Sequence, residues 1–498
     1  MFRYVLGCIA FLLLLPCAAH GQDLFKAAAD QSDRYVQQLE ELAKWCDGEG
    51  LSEQAVKTRA WLRRHDPNRI YVAVLPEPIG PPELPEGAPP KVAQWNERFW
   101  QLRRQQATAL EALARRSVRA DRASLAFSLI LAAIRENPDH EGIRRILGYQ
   151  KYQGGWHTLY EVNKLRAKQV RHPKFGWLPR DYVRRYEEGM RYSGKWITAA
   201  EDAKLHGDIQ SGWDIETEHY SIRTDHSLEA GVALGDKLEQ LYRVWKQLFV
   251  RYFASEAEVT ELFGGKNRRT GPPGPKLQVV FFRDRNEYNE ALRPAYPNIG
   301  ISIGLFDEST RRAYFFAGKD YEDRTMYHEA THQLFHLSRP VAPNVGRQAN
   351  FWIVEGVAMY MESLHEEDGF HVLGGLDDPR MVAARFRLLN DDFYVPLSEL
   401  NGYGMQQLQT DKRIGTLYSQ AAGLTHFLIH HDGGRYRDAL VQYLQLVYTG
   451  RDNPQTLAQL TGVSLGELDT QYRKFIEAAG KPKMPEPDGG PAGGDRVN

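Results

Sequence analysis

Apolar residues recur at helical intervals along the first part of the chain. Between residues 23 and 64 these positions are Leu24, Tyr35, Leu39, Leu42 and Trp45, which predicts helix because one helix face repeats roughly every 3.6 residues. Residues 92–136 are rich in Ala, Leu, Arg and Gln and predict a second helical stretch that stops at 137–138, Asn-Pro. We assign residues 22–74 and 92–145 to helical regions.

A proline-rich segment separates the two helical regions. Residues 75–91 contain seven prolines. Proline lacks the backbone N–H and fixes φ, so the segment cannot sustain a helix or a central strand. It predicts a semi-rigid extended linker or a surface loop.

Residues 146–212 contain an internal repeat. The sequence from Tyr152 to Leu165 matches that from Tyr192 to Leu205 at seven positions with an offset of 40 residues, and Trp156 aligns with Trp196. Such self-similarity predicts two copies of one small unit. The tryptophans are either core anchors of a non-catalytic module, as aromatic side chains usually are, or a binding face for a glycan or peptide.

From residue 213 onward the pattern alternates between strand and helix. Strands are predicted at 219–223 and 277–282, a long amphipathic helix at 230–253, and a hairpin at 301–316 around the turn 307–310. Helices dominate the remainder, and residues 479–498 predict a disordered tail. The expected fold is therefore α+β, with a helix-rich N-terminal region followed by a domain at 213–478 that holds a small mixed sheet.

The first 21 residues have the composition of a secretory signal peptide. Arg3 precedes an apolar run at 4–15, and Ala19 and Gly21 occupy the −3 and −1 positions of a cut before Gln22. The apolar run is short for a membrane span, which needs about 20 residues. We expect export to the periplasm or the extracellular space, with an uncleaved anchor or a lipoprotein as the alternatives.

Charge and cysteine content narrow the classes of protein to which the chain can belong. The 63 Lys and Arg nearly cancel the 64 Asp and Glu, so no overall field would attract nucleic acid. After removal of the signal, Cys46 is the single cysteine, which excludes an internal disulfide. No later segment is apolar enough to span a bilayer. The sequence does not decide the oligomeric state.

The chemistry centres on residues 326–334, which read Met-Tyr-His-Glu-Ala-Thr-His-Gln-Leu. We expect a helix capped at Asp323 and stopped by Pro340. Residues four apart lie one turn above each other, so His328 and His332 can reach one metal ion. Glu329 is offset from them and can act on a water molecule. The competing interpretation is a solvated helix face.

A third ligand is expected from the apolar helix at 351–361. Glu355 lies 23 positions after His332 (355 − 332), and a carboxylate within an apolar helix is costly unless it is paired or bound to a metal. Gly356 would allow close approach of a neighbouring helix or the metal. His336 and Glu362 are weaker alternatives, and the pattern of a three-histidine zinc site is absent.

The run at 327–334, followed by Trp352-Ile-Val-Glu355-Gly356-Val-Ala358, resembles the gluzincin clan of metallopeptidases, the peptidase MA superfamily, and within it a secreted branch. The resemblance covers residues 213–478. It implies one Zn²⁺ held by His328, His332 and Glu355. It also implies that Glu329 is the general base and proton shuttle, and that Tyr418 donates a hydrogen bond to the reacting carbonyl oxygen.

The same resemblance implies a peptide or protein substrate that pairs as an extended strand with the edge of the hairpin at 301–316. The sequence thus predicts an exported zinc peptidase. The alternative is a catalytically inactive binding protein of the cell envelope, which would have no need to keep Glu329. Whether residues 22–212 inhibit, recruit or brace the domain stays open.

Overall fold

A computed structural model describes residues 17–62, 66–75, 84, 86–265, 274–319 and 322–482. The described residues form two compact units, one made of those within 1–63 and 81–137 and the other of those within 64–80 and 138–498. Residues 1–16 of the signal, most of the proline-rich segment and most of the tail lie outside the described residues. Within the described ranges, no helix is both long and apolar enough to cross a membrane.

The first unit consists of four helices, as the apolar periodicity predicted for this part of the chain. They are α1 (Cys17–Gly48), α2 (Ser52–Trp61), α3 (Pro90–Arg119) and α4 (Ala123–Glu136). Each predicted helical stretch is divided in two, and Gly50 adopts φ 71° between the first pair. Cys46 is fully buried in the core with Leu39 and Phe99, as expected for an idle thiol.

The second unit begins with strand β1 (Arg69–Ala73), in a segment for which we had expected helix. Helix α5 (Glu141–Ile146) then leads into three successive hairpins, each followed by helical structure. These elements are β2 (Gln150–Tyr152), β3 (Gly155–His157), α6 (Leu159–Arg166), β4 (Gln169–His172), β5 (Gly176–Pro179), a 3₁₀ turn at Arg180–Tyr182, α7 (Val183–Glu187), β6 (Met190–Tyr192), β7 (Trp196–Thr198) and α8 (Ala199–Leu205).

The repeat therefore has three copies of about 20 residues rather than two at an offset of 40. The middle copy escaped the comparison because the turn before Trp177 is longer and a proline replaces the threonine that caps the helix in the outer copies. The first and second copies each contact the tryptophan of the next copy. Tyr160 of α6 lies 6.4 Å from Trp177, and Tyr182 of the 3₁₀ turn lies 4.8 Å from Trp196, between ring centroids. These contacts favour the core-anchor interpretation.

A mixed sheet follows, as predicted, and it has five strands. Its members, with the helices between them, are β8 (Trp213–Glu216), β9 (Tyr220–Thr224), α9 (Leu228–Leu248), α10 (Val250–Phe253), α11 (Glu256–Phe263), β10 (Leu277–Phe282), α12 (Arg285–Leu292), β11 (Leu305–Asp307) and β12 (Arg312–Phe316). The strand order is β11-β12-β10-β9-β8. The three inner strands are parallel, and the outer two run antiparallel to their neighbours. The α+β class is confirmed, and β11 forms one edge.

Two helices after the sheet carry the candidate chemistry: α13 (Asp323–Leu337) and α14 (Phe351–Met361). Both agree with the predicted positions. The prediction that Asp323 caps α13 was wrong, because Glu322 occupies the cap position without a side-chain bond. Asp323 is the first residue of the helix and instead binds Lys237 at 2.7 Å, where an acidic group still favours the positive helix end.

The remaining elements are a hairpin and seven helices. They are β13 (His365–Glu367), β14 (Phe370–Gly374), α15 (Pro379–Leu389), α16 (Leu397–Leu400), α17 (Met405–Thr410), α18 (Ile414–His430), α19 (Arg437–Tyr448), α20 (Thr456–Thr461) and α21 (Leu465–Ala479). The hairpin was not predicted, and it pairs with β1 in a three-stranded sheet of order β1-β14-β13. The sheet ties residues 69–73 to this unit.

Candidate metal centre

Helix α13 is anchored by an apolar stripe and presents its histidines on the other side. Met326, Ala330 and Leu334 are at most 1% exposed. The side chains of His328 and His332 are 15% and 14% exposed. The burial of one face therefore fixes which way the two imidazoles point.

Helix α14 is buried along its whole length, so its carboxylate is held in a rigid setting. Asn350 starts the helix at φ 58°, and its side chain donates to Asp452 at 2.6 Å and accepts from Tyr443 at 2.6 Å. A Cβ on Gly356 would lie 3.0 Å from the carbonyl oxygen of Ala421 on α18. Gly356 thus allows close helix packing, as the sequence indicated.

The two helices bring His328, His332 and Glu355 together. One ligand atom from each lies within 4.8 Å of the others. The two Nε2 atoms are 3.1 Å apart, and the Glu355 oxygens lie 3.5 Å from Nε2 of His328 and 3.9 Å from Nε2 of His332. Zinc with ligands at about 2.0–2.2 Å in a tetrahedron separates them by roughly 3.3–3.6 Å. The separations of 3.1, 3.5 and 3.9 Å bracket this range, and the donor types are those that zinc binds.

A second carboxylate lies behind His328. Oε1 of Glu362 is 2.8 Å from Nδ1 of His328, and Arg380 donates to both Glu362 oxygens at 2.9 Å. Arg324 adds a contact at 3.3 Å. Such a partner fixes the tautomer and orientation of a ligating imidazole. It leaves Nε2 of His328 directed at Glu355 and His332.

The electrostatics of the metal-free cluster follow from this packing. Burial would lower the pKa of His328, but hydrogen bonds with Glu355 and Glu362 outweigh it and hold that pKa well above its usual range. Burial, reinforced by the charge on His328, lowers the pKa of His332 to about 3. Burial would raise the pKa of Glu355, yet His328 and His332 hold it below its usual value. These shifts favour a protonated His328 beside an ionised Glu355.

Glu329 contacts the edge of the sheet. Its Oε2 accepts a hydrogen bond from the backbone N–H of Phe306, in β11, at 2.8 Å. Glu329 follows the ligand His328 directly in the chain and is half-buried. The structure therefore places this carboxylate against the outermost strand.

The other sequence candidates lie elsewhere. His336 is one turn past His332 and pairs with Glu308 at 3.1 Å, outside the ligand cluster. Tyr418 is half-buried in the second turn of α18, one turn before Ala421, which approaches α14. It is not among the three grouped ligands, and its role in catalysis stays a prediction.

Sequence reasoning did not identify every group around this site. Glu362, considered there as a weaker candidate for the third ligand, is 4% exposed and bonds to His328 outside the ligand cluster. The sequence could not indicate the backbone N–H of Phe306, because every residue except proline has such a group. The hydroxyl of Tyr448 is buried and, among the described residues, has no hydrogen-bond partner. Burial, with the charges of Glu355 and Glu308 adding to it, raises the pKa of Tyr448.

Comparison with known proteins adds one finding. A family described as a protein of unknown function (DUF1570) matches residues 323–452. This range spans α13 to α19 and includes the three clustered ligands, Glu329 and Tyr418. No curated protein matches the chain. The family description assigns no activity, so the resemblance to gluzincins stays a prediction.

Proposed function

We propose that this protein is an exported, zinc-dependent peptidase. The observation that carries the proposal is the grouping of two imidazole Nε2 atoms and one buried carboxylate within 4.8 Å, next to a further carboxylate at Glu329. Helices α13 and α14 supply these groups from positions 23 residues apart or more, and an idle solvated face would have no reason to assemble them.

In this proposal His328, His332 and Glu355 hold the ion. When bound there, zinc supplies a Lewis acid that polarises a carbonyl group and activates water at neutral pH. Glu329 takes a proton from the attacking water at its carboxylate and passes it to the leaving amine nitrogen, a role typically worth about 10²–10⁴-fold. Glu362 keeps Nδ1 of His328 engaged so that Nε2 faces the ion.

The substrate is proposed to be a peptide that lies extended along the sheet edge formed by β11, where an additional strand can pair. Tyr418 is retained as the proposed donor to the carbonyl oxygen. The signal-like N-terminus supports action outside the cytoplasm.

Metal analysis and peptide cleavage together test the proposal. The mature protein should contain about one zinc per chain, and a chelator should abolish its cleavage of a peptide library. His332→Ala and Glu355→Ala should lose the metal, because each removes one of three protein ligands. Glu329→Gln should keep the metal and lose turnover.

Two outcomes would contradict the proposal in different ways. A purified protein that binds no divalent metal, even when zinc is added, would exclude the metal centre. A protein that binds zinc yet cleaves no peptide would instead favour a non-catalytic binding protein. A Glu329→Gln variant as active as the wild type would overturn the role of Glu329 as general base.

A further inference from the structure

The edge strand β11 contacts the candidate base through its backbone. Phe306 is the middle residue of β11 and is paired with Ala313 of β12. Its N–H donates to Oε2 of Glu329 on α13, at 2.8 Å. The N–H groups of an edge strand alternate between those that bond to the neighbouring strand and those that point away from it. The N–H of Phe306 bonds to Glu329, so it is one of those that point away from β12.

Outward-facing N–H groups of an edge strand normally face solvent or pair with another strand. Here one of them is used by a side chain from a helix. A hydrogen bond from a backbone N–H to a carboxylate is stronger than one between neutral groups. A carboxylate held at one oxygen has the direction of its other oxygen fixed as well.

A glycine makes the close approach possible. A Cβ on Gly304 would lie 2.9 Å from Cγ2 of Thr325, 3.2 Å from Cγ of Glu329 and 3.5 Å from Cδ1 of Phe315. Gly304 does not have a positive φ, so the glycine is required here for space and not for backbone conformation. Any side chain at this position would push α13 and its carboxylate away from the strand.

The segment before β11 is itself fixed. The Ser302 hydroxyl binds both the N–H and the carbonyl oxygen of Gly304. The buried Tyr288 on α12 holds that hydroxyl at 3.1 Å. The glycine is therefore set at a defined position against α13 by a chain of hydrogen bonds that starts in the core.

We propose that β11 is a positioning element for Glu329, in which the N–H of Phe306 orients the carboxylate and Gly304 provides the room. Its catalytic meaning rests on the function proposed above. One consequence concerns the substrate: while Glu329 holds this N–H, an extended peptide pairs with β11 through other backbone groups. In this scheme neither Phe306 nor Gly304 touches the reacting atoms.

Hydrogen exchange tests the contact without any use of activity. In the zinc-free, full-length protein, the Phe306 amide should exchange at least tenfold faster in Glu329→Ala than in the wild type. Glu329→Gln retains a carbonyl acceptor and should restore part of the protection. The Ala317 amide, which donates to the carbonyl oxygen of Phe282 at 2.9 Å, is the internal control and should not change. Equal exchange of Phe306 in wild type and Glu329→Ala would overturn the inference.

Kinetics test the positioning role. Phe306→Pro removes the N–H at an edge position that tolerates proline, whereas Phe306→Leu keeps it. Gly304→Ala inserts the clashing Cβ, and Gly300→Ala is its control because a Cβ there meets nothing within 4 Å. Phe306→Pro and Gly304→Ala should each lower kcat at least tenfold, with KM within threefold and zinc content unchanged.

Failure of the positioning role and failure of the proposed function would give different results. Full kcat in both Phe306→Pro and Gly304→Ala would overturn the positioning role even if the enzyme is a zinc peptidase. If the protein cleaves no peptide, the proposed function fails, and the exchange measurement alone then supports or overturns the contact.

Discussion

Replacing Glu362 by glutamine would remove the negative charge behind His328 and so test its effect. The two side chains have nearly the same shape, and the amide keeps one carbonyl acceptor. Its NH₂ group, however, must face a donor, because Glu362 accepts from His328 at 2.8 Å and from Arg380 at 2.9 Å on both oxygens. At least one buried hydrogen bond becomes a donor–donor contact.

The size of the effect follows from the burial and the charges. Glu362 is 4% exposed, and removing one partner of a buried ion pair costs roughly 3–5 kcal/mol. Glutamine keeps one acceptor, so we expect a loss of about 3 kcal/mol in the unfolding free energy of the zinc-free protein, at the lower end of that range. Loss of such a partner behind a ligating histidine weakens metal binding by about 10–100-fold.

Chelator competition would measure the zinc affinity, and thermal unfolding with and without zinc would measure stability. Glu290→Gln is a matched control, since Glu290 is exposed on α12 and no contact of its side chain supports the site. Zinc affinity within threefold of the wild type, together with an unchanged Tm, would refute the role assigned to Glu362. An equal effect in Glu290→Gln would point to overall charge as the cause.

Three further changes probe the packing and the pH response. Gly356→Ala places a Cβ 3.0 Å from a backbone oxygen of α18. It should lower the unfolding free energy by about 1–3 kcal/mol in denaturant titration. Gly415→Ala on α18 is the control, because a Cβ there meets nothing within 4 Å, and it should be neutral or stabilising. Tyr448→Phe removes a buried hydroxyl that has no hydrogen-bond partner in the described part of the chain. The change should leave Tm unchanged or higher, and a clear drop would reveal a partner. Burial and the Asp225 carboxyl raise the pKa of Glu287 to about 7, so the stability from its protonated form is full below pH 4.5 and is lost as pH rises through 7. The unfolding free energy of Glu287→Gln, relative to that of the wild type, should therefore be higher at pH 8 than at pH 5. An equal difference at both pH values would contradict this.

The parts of the fold that the sequence predicted are those with a strong local signal. Helix α14 agrees at both ends because a run that is apolar apart from Glu355 follows Asn350, and β10 agrees because four of its six residues are Val or Phe. The i, i+4 spacing of His328 and His332 fixed their relative direction before any tertiary contact was considered. Local periodicity is sufficient for such features.

The parts that escaped prediction depend on contacts between distant residues. Strand β1 pairs with β14 across about 300 positions, and Arg69 binds Glu367 at a separation of 298 residues. A three-residue strand such as β13, exposed along its length, carries no periodic pattern. The roles of Glu362 and Arg380 likewise arise only when α15 packs beside α13 and α14.

The site itself shows why a motif is a weaker criterion than the arrangement around it. Two histidines and two glutamates are recognisable in sequence. The buried charge behind one histidine and the strand edge beside one glutamate are visible only in the structure. Glu362 and Arg380 supply the first, and Gly304 permits the second. A chain with the motif but with a bulky residue at 304, or a neutral one at 362, would bring the same ligand types together without fixing their orientation. Retention of activity by Gly304→Ala and Glu362→Gln combined would show that the motif residues alone are enough.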